Sequence, residues 1–487
     1  MNVLRPLLPS LAAAIWVLSA ACTRQNDMAT ASPAPQFGAI TTPVKATTTT
    51  QPPSSAVLVP TISPTSGPFT LSTSTPLPER VVATGPVNRV VVAGTDGHIY
   101  TVRPDGNDRT SVSPPTGPGF PGGQFTWPVW SPDGGTVLFS SVLEARDRVG
   151  ADVTLLRASA MGGGVATIYE DDVLSQGIGN GVPHFAMWSP DGERIALIAG
   201  TGEGLVTIVL DSETGTKLDG VALGSPVYMA WSSDSNNLLV HLQDLLFVHE
   251  RGAVGGRGRR GLQLRNRALN YYTPQFAPRD NRFLYGDEVD GHLRLMMREA
   301  DWKTSRDLGD APGLLGFRWS PTADMIAIVR GGQEGLFESL SLYSLADGSE
   351  RLLVKRTMYG FWWSPDGSKV AVAAVSSSYR RSVDWYVVDI ASGSETSLGS
   401  NLPTLEFEFV LSFFDQFSNA SQIWSPDSRN IVVSGAMLKA LDKVPETRDQ
   451  AQAPPVNEPE QAWVLDASGA FAPVAIGPGF LAFWSPK

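Results

Sequence analysis

The chain has 487 residues, with 48 acidic and 37 basic side chains and a formal net charge of −11. This acidic balance argues against a nucleic-acid partner held by bulk electrostatics. Cys22 is the only cysteine, which excludes intrachain disulfides, metal thiolate clusters and cysteine catalysis.

Residues 1–21 have the pattern of a signal peptide. Arg5 supplies positive charge, residues 7–18 form an apolar core, and small residues at 19–21 precede Cys22. The core is too short to span a bilayer stably. Cys22 stands where bacterial lipoproteins carry their lipid, although Ser19 replaces the leucine usual three residues earlier. The sequence predicts a lipid anchor at Cys22 on the extracytoplasmic side of a bacterial membrane, with secretion as the alternative.

Residues 22–85 are rich in Thr, Ser and Pro and nearly free of charge. Such a composition buries too little apolar surface to fold and favours extended conformations. We expect a disordered stalk here, followed by one folded domain at residues 86–487.

A pentapeptide, W-S-P-D-G, recurs along the folded part. Intact or degenerate copies begin at Trp130, Trp188, Trp231, Phe276, Trp319, Trp363 and Trp424, and the sequence ends in a partial copy at Trp484. Several intervals lie in the low forties, and each copy is followed by a run with strand character. This period with β-rich content is typical of propeller blades.

Within each copy, Pro presets φ, Asp caps its own backbone and Gly tolerates positive φ, which predicts the hairpin between a blade's first and second strands. Residues that recur in every repeat indicate packing more than catalysis. The residues given this structural role are Trp130, Asp133, Trp188, Asp191, Trp231, Trp319, Trp363, Asp366, Trp424, Asp427 and Trp484.

The two ends of the domain complement each other. Residues 88–113 supply strands two to four of a blade, and residues 479–484 supply a first strand. Joining them removes unpaired sheet edges. The predicted fold is all-β: an eight-bladed β-propeller of four-stranded antiparallel blades, closed by the C-terminal strand joining the first blade. A seven-bladed ring is the alternative, because the repeat at Phe276 lacks the Trp.

The W-S-P-D-G repeats, the closure and the D-x-x-T/S-G turns resemble the TolB-type propeller family and the propeller of dipeptidyl-peptidase-IV-type peptidases. The resemblance covers about residues 85–487. It implies the fold; it implies little about function, because the shared residues form the scaffold. An N-terminal α/β domain like that of TolB is not predicted here, nor is a peptidase domain.

Insertions in a regular ring usually map to its binding faces. Four segments depart from the repeat: 113–124, 170–183, 402–421 and 438–459. The third is rich in aromatic residues, which predicts either a partner-contact patch or lid over the channel, or a helix or hairpin that buries the rings. Its candidate binding residues are Phe407, Phe409, Phe413 and Phe414.

Two other features qualify as candidate binding sites. His184 precedes a first strand and is predicted to face the channel mouth, whereas a role in packing is favoured for His98, His241, His249 and His292. A glycine-rich basic loop could hold an anionic group or be a solvated hairpin tip, and its candidate residues are Arg257, Arg259 and Arg260. No metal or cofactor is predicted.

The chain lacks the common hydrolase, zinc, phosphate-loop and calcium motifs. The leading hypothesis is therefore a monomeric, non-catalytic module that binds a protein or glycan of the cell envelope. The alternative is a small-ligand receptor or hydrolase that uses the central channel. Of the residues preceding the aromatic anchors, only Arg318 is charged, and a hydrolase normally needs several convergent ionisable groups.

Overall fold

The structure is a computed structural model. It describes residues 88–115, 124–144, 151–174, 178, 182–201, 204–252, 259–265, 272–332, 335–439, 441, 451–454 and 459–487. The predicted signal peptide, Cys22 and the predicted stalk therefore lie outside the described residues.

The described residues form antiparallel sheets whose strands follow one another along the chain. In each four-stranded sheet, one edge strand ends at the aromatic residue that begins a copy of the motif. These sheets contain, in order, β1 (Val90–Ala93), β2 (Ile99–Val102) and β3 (Thr110–Ser111); β4 (Gln124–Trp130), β5 (Thr136–Glu144), β6 (Ala151–Ser159) and β7 (Ala166–Leu174); β8 (His184–Trp188), β9 (Arg194–Thr201), β10 (Gly204–Asp211) and β11 (Lys217–Leu223); β12 (Val227–Trp231), β13 (Asn237–Leu242), β14 (Leu245–Glu250) and β15 (Arg259–Arg265); β16 (Gln275–Phe276), β17 (Phe283–Val289), β18 (His292–Arg298) and β19 (Ser305–Asp310).

The remaining strands form a ten-stranded sheet and the closing strand of the first sheet. They are β20 (Leu315–Trp319), β21 (Met325–Arg330), β22 (Phe337–Ser344), β23 (Glu350–Trp363), β24 (Lys369–Val375), β25 (Val383–Asp389), β26 (Glu395–Pro403), β27 (Asn430–Leu438), β28 (Gln461–Asp466), β29 (Val474–Pro478) and β30 (Leu481–Trp484).

The C-terminal strand closes the ring. β30 pairs antiparallel with β1, with Val91 opposite Phe483 and Ala93 opposite Leu481. Ser485 N–H also donates to the Arg89 carbonyl at 2.8 Å. This pairing confirms the predicted closure, and the fold is a β-propeller of antiparallel blades, because a chain of sequential sheets whose last strand completes the first sheet has no free ends.

The ten-stranded sheet arises where one strand serves two repeats. β23 pairs along its first half with β22 and along its second half with β24. The end of β26 pairs with β27, while Gln422 and Trp424 form only isolated bridges to Trp484 and Ile431. The repeat at Phe276 has four strands although it lacks the Trp. Eight blades, with seven as the alternative, remains a prediction.

Two short helices interrupt the repeat pattern: α1 (Leu405–Ser412) and α2 (Phe414–Phe417). Thr404 caps α1, because its hydroxyl accepts a hydrogen bond from Phe407 N–H at 3.1 Å. The insertion predicted at 402–421 is therefore helical. In the part of the chain that the structure describes, no helix has the length and apolar character needed to cross a bilayer.

Candidate functional site: the centre of the ring

The motif turns are held by short polar contacts of their own residues. In the copy at Trp363, the Ser364 hydroxyl donates to Asp366 Oδ1 at 2.6 Å and Ser368 N–H donates to the same oxygen at 3.0 Å. Burial acts to raise the pKa of Asp366, but these hydrogen bonds outweigh it and lower that pKa. The same Ser-to-Asp bond recurs at Ser131–Asp133, Ser189–Asp191, Ser232–Asp234 and Ser425–Asp427.

The anchor tryptophans join neighbouring repeats. Trp130 Nε1 donates to the carbonyl of Phe483 at 3.1 Å, across the closure. In this and the other cases the acceptor is the residue just before an anchor of another repeat. The other pairs are Trp231 to Met187, Trp319 to Gln275 and Trp424 to Trp362. These indole-to-carbonyl hydrogen bonds join neighbouring repeats and hold the inner strands in place around the centre of the ring.

The helical insertion fills that centre. We call residues 404–421 the central plug. Phe414 lies against Phe361 and Trp362, with ring centroids 5.4 and 5.9 Å apart, and Phe417 lies against Trp127 and Phe185 at 5.5 and 5.3 Å. An element that touches inner strands of repeats on opposite sides of a ring must lie between them. The central plug therefore fills the middle of the ring and forms part of its hydrophobic core.

Glycines allow the plug to approach closely. A Cβ on Gly360 would lie 2.3 Å from Cγ of Phe414, and a Cβ on Gly316 would lie 3.0 Å from Cζ of the same ring. Both glycines are on inner strand segments, so the missing side chains make room for Phe414.

Polar groups of the plug are bonded to the surrounding strands. Thr273 N–H donates to Asp415 Oδ2 at 2.6 Å, and Met229 N–H donates to Gln416 Oε1 at 3.2 Å. Asn419 Nδ2 donates a hydrogen bond to the Met229 carbonyl at 3.3 Å. Burial raises the pKa of Asp415, and the bond from Thr273 acts against that rise. The hydrogen bonds between the plug and the surrounding strands fix one position of the plug.

Arg318 is the cationic member of this network. Its Nη1 donates to the Asp415 carbonyl at 3.1 Å and to Asn419 Oδ1 at 3.0 Å, and its Nη2 donates to the Ser418 carbonyl at 3.2 Å. Burial lowers the pKa of Arg318 to about 10, with the nearby Asp415 acting in the opposite direction. The side chain remains charged at neutral pH.

Above the plug lies a cavity of about 490 Å³, which we call the ring cavity. Its base includes Arg318, Ser418, Asn419 and Gln422. Its walls come from the anchor positions of successive repeats, which are Trp188, Trp231, Phe276, Trp319 and Trp363. The volume falls in the range of small-molecule sites. Among the described residues, Arg318 is the charged side chain of the lining, and no cluster of three or more His, Cys, Asp or Glu is suited to hold a metal.

His184 lies in the core. It is 4 % exposed, its Nδ1 is 3.1 Å from the Ser140 hydroxyl, and its ring meets Tyr169 edge-on at 5.8 Å. Burial lowers the pKa of His184 to about 4. It does not line the ring cavity. A binding role for His184 stays a prediction, and its surroundings are those of a neutral packing residue.

The aromatic candidates divide by burial. Phe407 and Phe414 are fully buried, while Phe409 and Phe413 are partly exposed and contact each other at 4.8 Å between centroids. For Phe407 and Phe414 the insertion is therefore a helical segment that buries its aromatic rings. The ring cavity lies beside the C-terminal end of the insertion.

The basic loop and the fourth insertion are described only in part. Arg257 lies outside the described residues, and for Arg259 and Arg260 only the backbone, in β15, is described. The insertion at 438–459 lies between β27 and β28 as predicted, and Tyr379 OH donates to the Lys439 carbonyl at 3.0 Å. The described residues of these two segments do not line the ring cavity.

Sequence reasoning identified Arg318 as the charged exception among the inner positions but missed Asp415, Gln416 and Asn419. Their signal was present: polar residues interrupt an otherwise aromatic insertion at 413–419. Gln275 was also missed, because it precedes the degenerate anchor Phe276 and looks like an ordinary strand residue.

Comparison with known proteins gives propellers of several kinds. No protein-family model matches the chain, and no curated protein matches it. Among solved structures, TolB from Acinetobacter baumannii is 13% identical, with 72% of this chain and 83% of that chain covered and a TM-score of 0.35. A TolB structure is therefore among the solved propellers to which this chain is similar.

Two further solved structures widen the range. A prolyl endopeptidase is 10% identical, with 74% of this chain and 50% of that chain covered and a TM-score of 0.48. A eukaryotic initiation factor is 11% identical, with 82% and 98% covered and a TM-score of 0.49. At these values the similarities carry no argument about what this chain binds or whether it catalyses a reaction.

Proposed function

We propose that this protein is a non-catalytic binding module of the bacterial cell envelope, and that it binds a protein or glycan at the ring cavity. The observation that supports this most is the cavity itself. It is a preformed recess of about 490 Å³ whose base is closed by the chain's own plug. Recesses with a few placed polar groups in an otherwise aromatic lining are typical of ligand sites.

The proposed location rests on the N-terminal sequence. A signal peptide at 1–21, a lipid on Cys22 and a stalk at 22–85 would hold the propeller away from a membrane, on its extracytoplasmic side. A single lipid chain gives only marginal membrane binding, so a diacylated or triacylated cysteine is the form that would anchor it. Mass spectrometry of the mature N-terminus tests this part.

The alternative is a receptor or hydrolase that takes a small ligand in the same cavity. The cavity volume also fits a free small ligand, as well as the end of a peptide or glycan chain. For the hydrolase, the lining among the described residues offers Arg318 but no carboxylate or histidine beside it, whereas acid–base or nucleophilic hydrolysis uses a nucleophile or base in contact with the substrate.

A cavity-filling variant tests the binding module. Ser233 lies partly exposed in the cavity lining, and Ser233→Trp would occupy part of the recess. Thr357→Trp places the same side chain on an exposed position of β23 and is the control. We expect cross-linking in whole cells to yield one partner, identified by mass spectrometry, with wild type and control but not with Ser233→Trp. Equal capture by all three would contradict a site in the cavity.

A further inference from the structure

Arg318 occupies a position where most other repeats place apolar residues. It directly precedes the anchor Trp319, whereas Met187, Ala230 and Trp362 hold the equivalent positions before their anchors. A charged group in a partly buried site costs desolvation free energy unless something compensates it. The lowered pKa of Arg318, about 10, has this origin.

The partners of Arg318 do not neutralise its charge. All three of its hydrogen bonds go to carbonyl or amide oxygens of the plug, which leaves some of the guanidinium N–H donors for another acceptor. Among the described residues, no carboxylate oxygen lies within 4.0 Å of its nitrogens. The Asp415 carboxylate instead accepts bonds from the backbone N–H groups of Thr273 and Gln416.

Further donors in the same lining are without acceptors. Nε2 of Gln275 and the indole Nε1 atoms of Trp188 and Trp363 are buried and have no hydrogen-bond partner among the described residues. All three residues line the ring cavity, and Gln275 is 5 % exposed. A buried donor without a partner costs about 1–3 kcal/mol, but these three nitrogen atoms are not accessible to solvent, so a ligand in the cavity meets Arg318 and not these groups.

We propose that the ring cavity binds a carboxylate group of its peptide or glycan ligand, with Arg318 as the cation that holds it. Arginine matches the planar geometry of a carboxylate with paired N–H donors. The cavity volume fits a ligand of about the size of a dipeptide or disaccharide. This inference rests on the proposed binding function and gives the ligand class for its site.

Calorimetric titration of the purified mature protein tests the charge preference. Two acids serve as probes: acetyl-dialanine, with a peptide carboxylate, and methyl glucuronide, with a sugar carboxylate. Each is compared with its uncharged counterpart, acetyl-dialanine amide or methyl glucoside. We expect at least one acid to bind at least about tenfold more tightly than its counterpart, because a charge-assisted hydrogen bond is lost in the uncharged compound. The acid that binds identifies the source of the carboxylate.

Two variants locate the site. Arg318→Gln removes the charge and retains an amide donor toward the plug, and Gln275→Glu adds a competing carboxylate to the lining. Both should lower the affinity for the acid at least about tenfold. Arg103→Gln makes the same change at an exposed arginine outside the cavity and should leave the affinity unchanged. Thermal unfolding checks that each variant is folded, and Gln275→Glu decides the test if Arg318→Gln does not fold.

Equal affinity for an acid and its uncharged counterpart would overturn the inference, as would binding of neither acid at millimolar concentration. In both cases a partner captured by wild type and lost in Ser233→Trp would leave the binding module standing. Acid binding that Arg318→Gln and Gln275→Glu leave intact would also overturn it, because the carboxylate would then be held elsewhere.

Discussion

His184 shows how burial changes the chemistry that a histidine can offer. Its ring is enclosed between Ser140 and Tyr169, and desolvation lowers its pKa from 6.5 to about 4. A neutral imidazole in this position neither attracts an anion nor transfers a proton near neutral pH. In the motif aspartates hydrogen bonds outweigh burial instead, and they keep the pKa of Asp191 and Asp366 low, so that the charged form is retained.

A pH dependence of stability follows from the His184 pKa. Between pH 6.5 and about 4 the unfolded chain binds a proton at His184 that the folded chain does not, so this residue makes the protein less stable as the pH falls through that range. The full effect is about 3 kcal/mol. We expect His184→Gln to show a smaller loss of unfolding free energy than wild type between pH 6.5 and pH 4, measured by urea denaturation.

His292, which is exposed, supplies the control for this measurement. His292→Gln should follow the wild-type curve. Parallel pH curves for wild type and His184→Gln would show that His184 titrates alike in the folded and unfolded chains.

At the scale of elements, the central plug is the feature that departs most from a repeating ring. α2 brings Phe414 and Phe417 into contact with inner strands of two repeats, and α1 brings Phe407 against Trp385 on β25. These contacts bury large aromatic side chains in the middle of the propeller. Burial of each side chain contributes roughly 2–3 kcal/mol to the free energy of unfolding, relative to leaving it exposed. The plug also provides the base of the ring cavity, so that its position decides the shape of the proposed site.

Gly360→Ala tests the close contact between plug and ring. The new Cβ would lie 2.3 Å from Cγ of Phe414, and overpacking of this kind costs about 1–3 kcal/mol. We expect a lower melting temperature for Gly360→Ala by calorimetry, and a smaller penalty for the same change in a Phe414→Ala background, because the clashing ring is then absent.

Gly220→Ala is the matched control. Gly220 is exposed on β11, and a Cβ there would meet only the end of the Lys217 side chain, at 3.8 Å. Its melting temperature should stay close to that of wild type. Additive penalties in the Gly360→Ala, Phe414→Ala double variant would show that the two residues do not interact.

For the whole molecule, the decisive contact joins residues nearly four hundred positions apart. β30 supplies the missing inner strand of the sheet formed by β1, β2 and β3, and the Trp130 indole extends the seam to the next repeat. Without this pairing β1 would present a free edge, which is prone to association with other chains. Stability of the ring is therefore expected to depend on the seam more than on any single blade.

A disulfide across the seam tests this expectation. Val92 and Ala482 are directly opposite each other on β1 and β30, at a spacing that antiparallel pairs offer for disulfides. In a chain with Cys22→Ser, we expect Val92→Cys/Ala482→Cys to raise the unfolding free energy by about 2–4 kcal/mol when oxidised. The reduced form is the control. An oxidised form no more stable than the reduced one would show that the seam does not limit unfolding.

The sequence by itself determined the local repeats and the closure. The W-S-P-D-G turns are encoded within a few residues, and the incomplete strands at the two ends predict their own pairing, so these features required no knowledge of distant contacts. It also singled out Arg318. The role of the insertion was left between a lid, a contact patch and a buried helix, because an amphipathic aromatic segment carries no information about which surface will cover it.

Only the tertiary structure decided what lies at the centre of the ring. The plug with its Asp415, the strand residue Gln275 and the strand residue Arg318 come from different repeats, and their proximity depends on how the sheets are arranged around a common axis. Repeats encode their turns and their contacts with the next blade, whereas the centre is made by residues far apart in the chain, and its chemistry therefore becomes visible only when the ring is assembled.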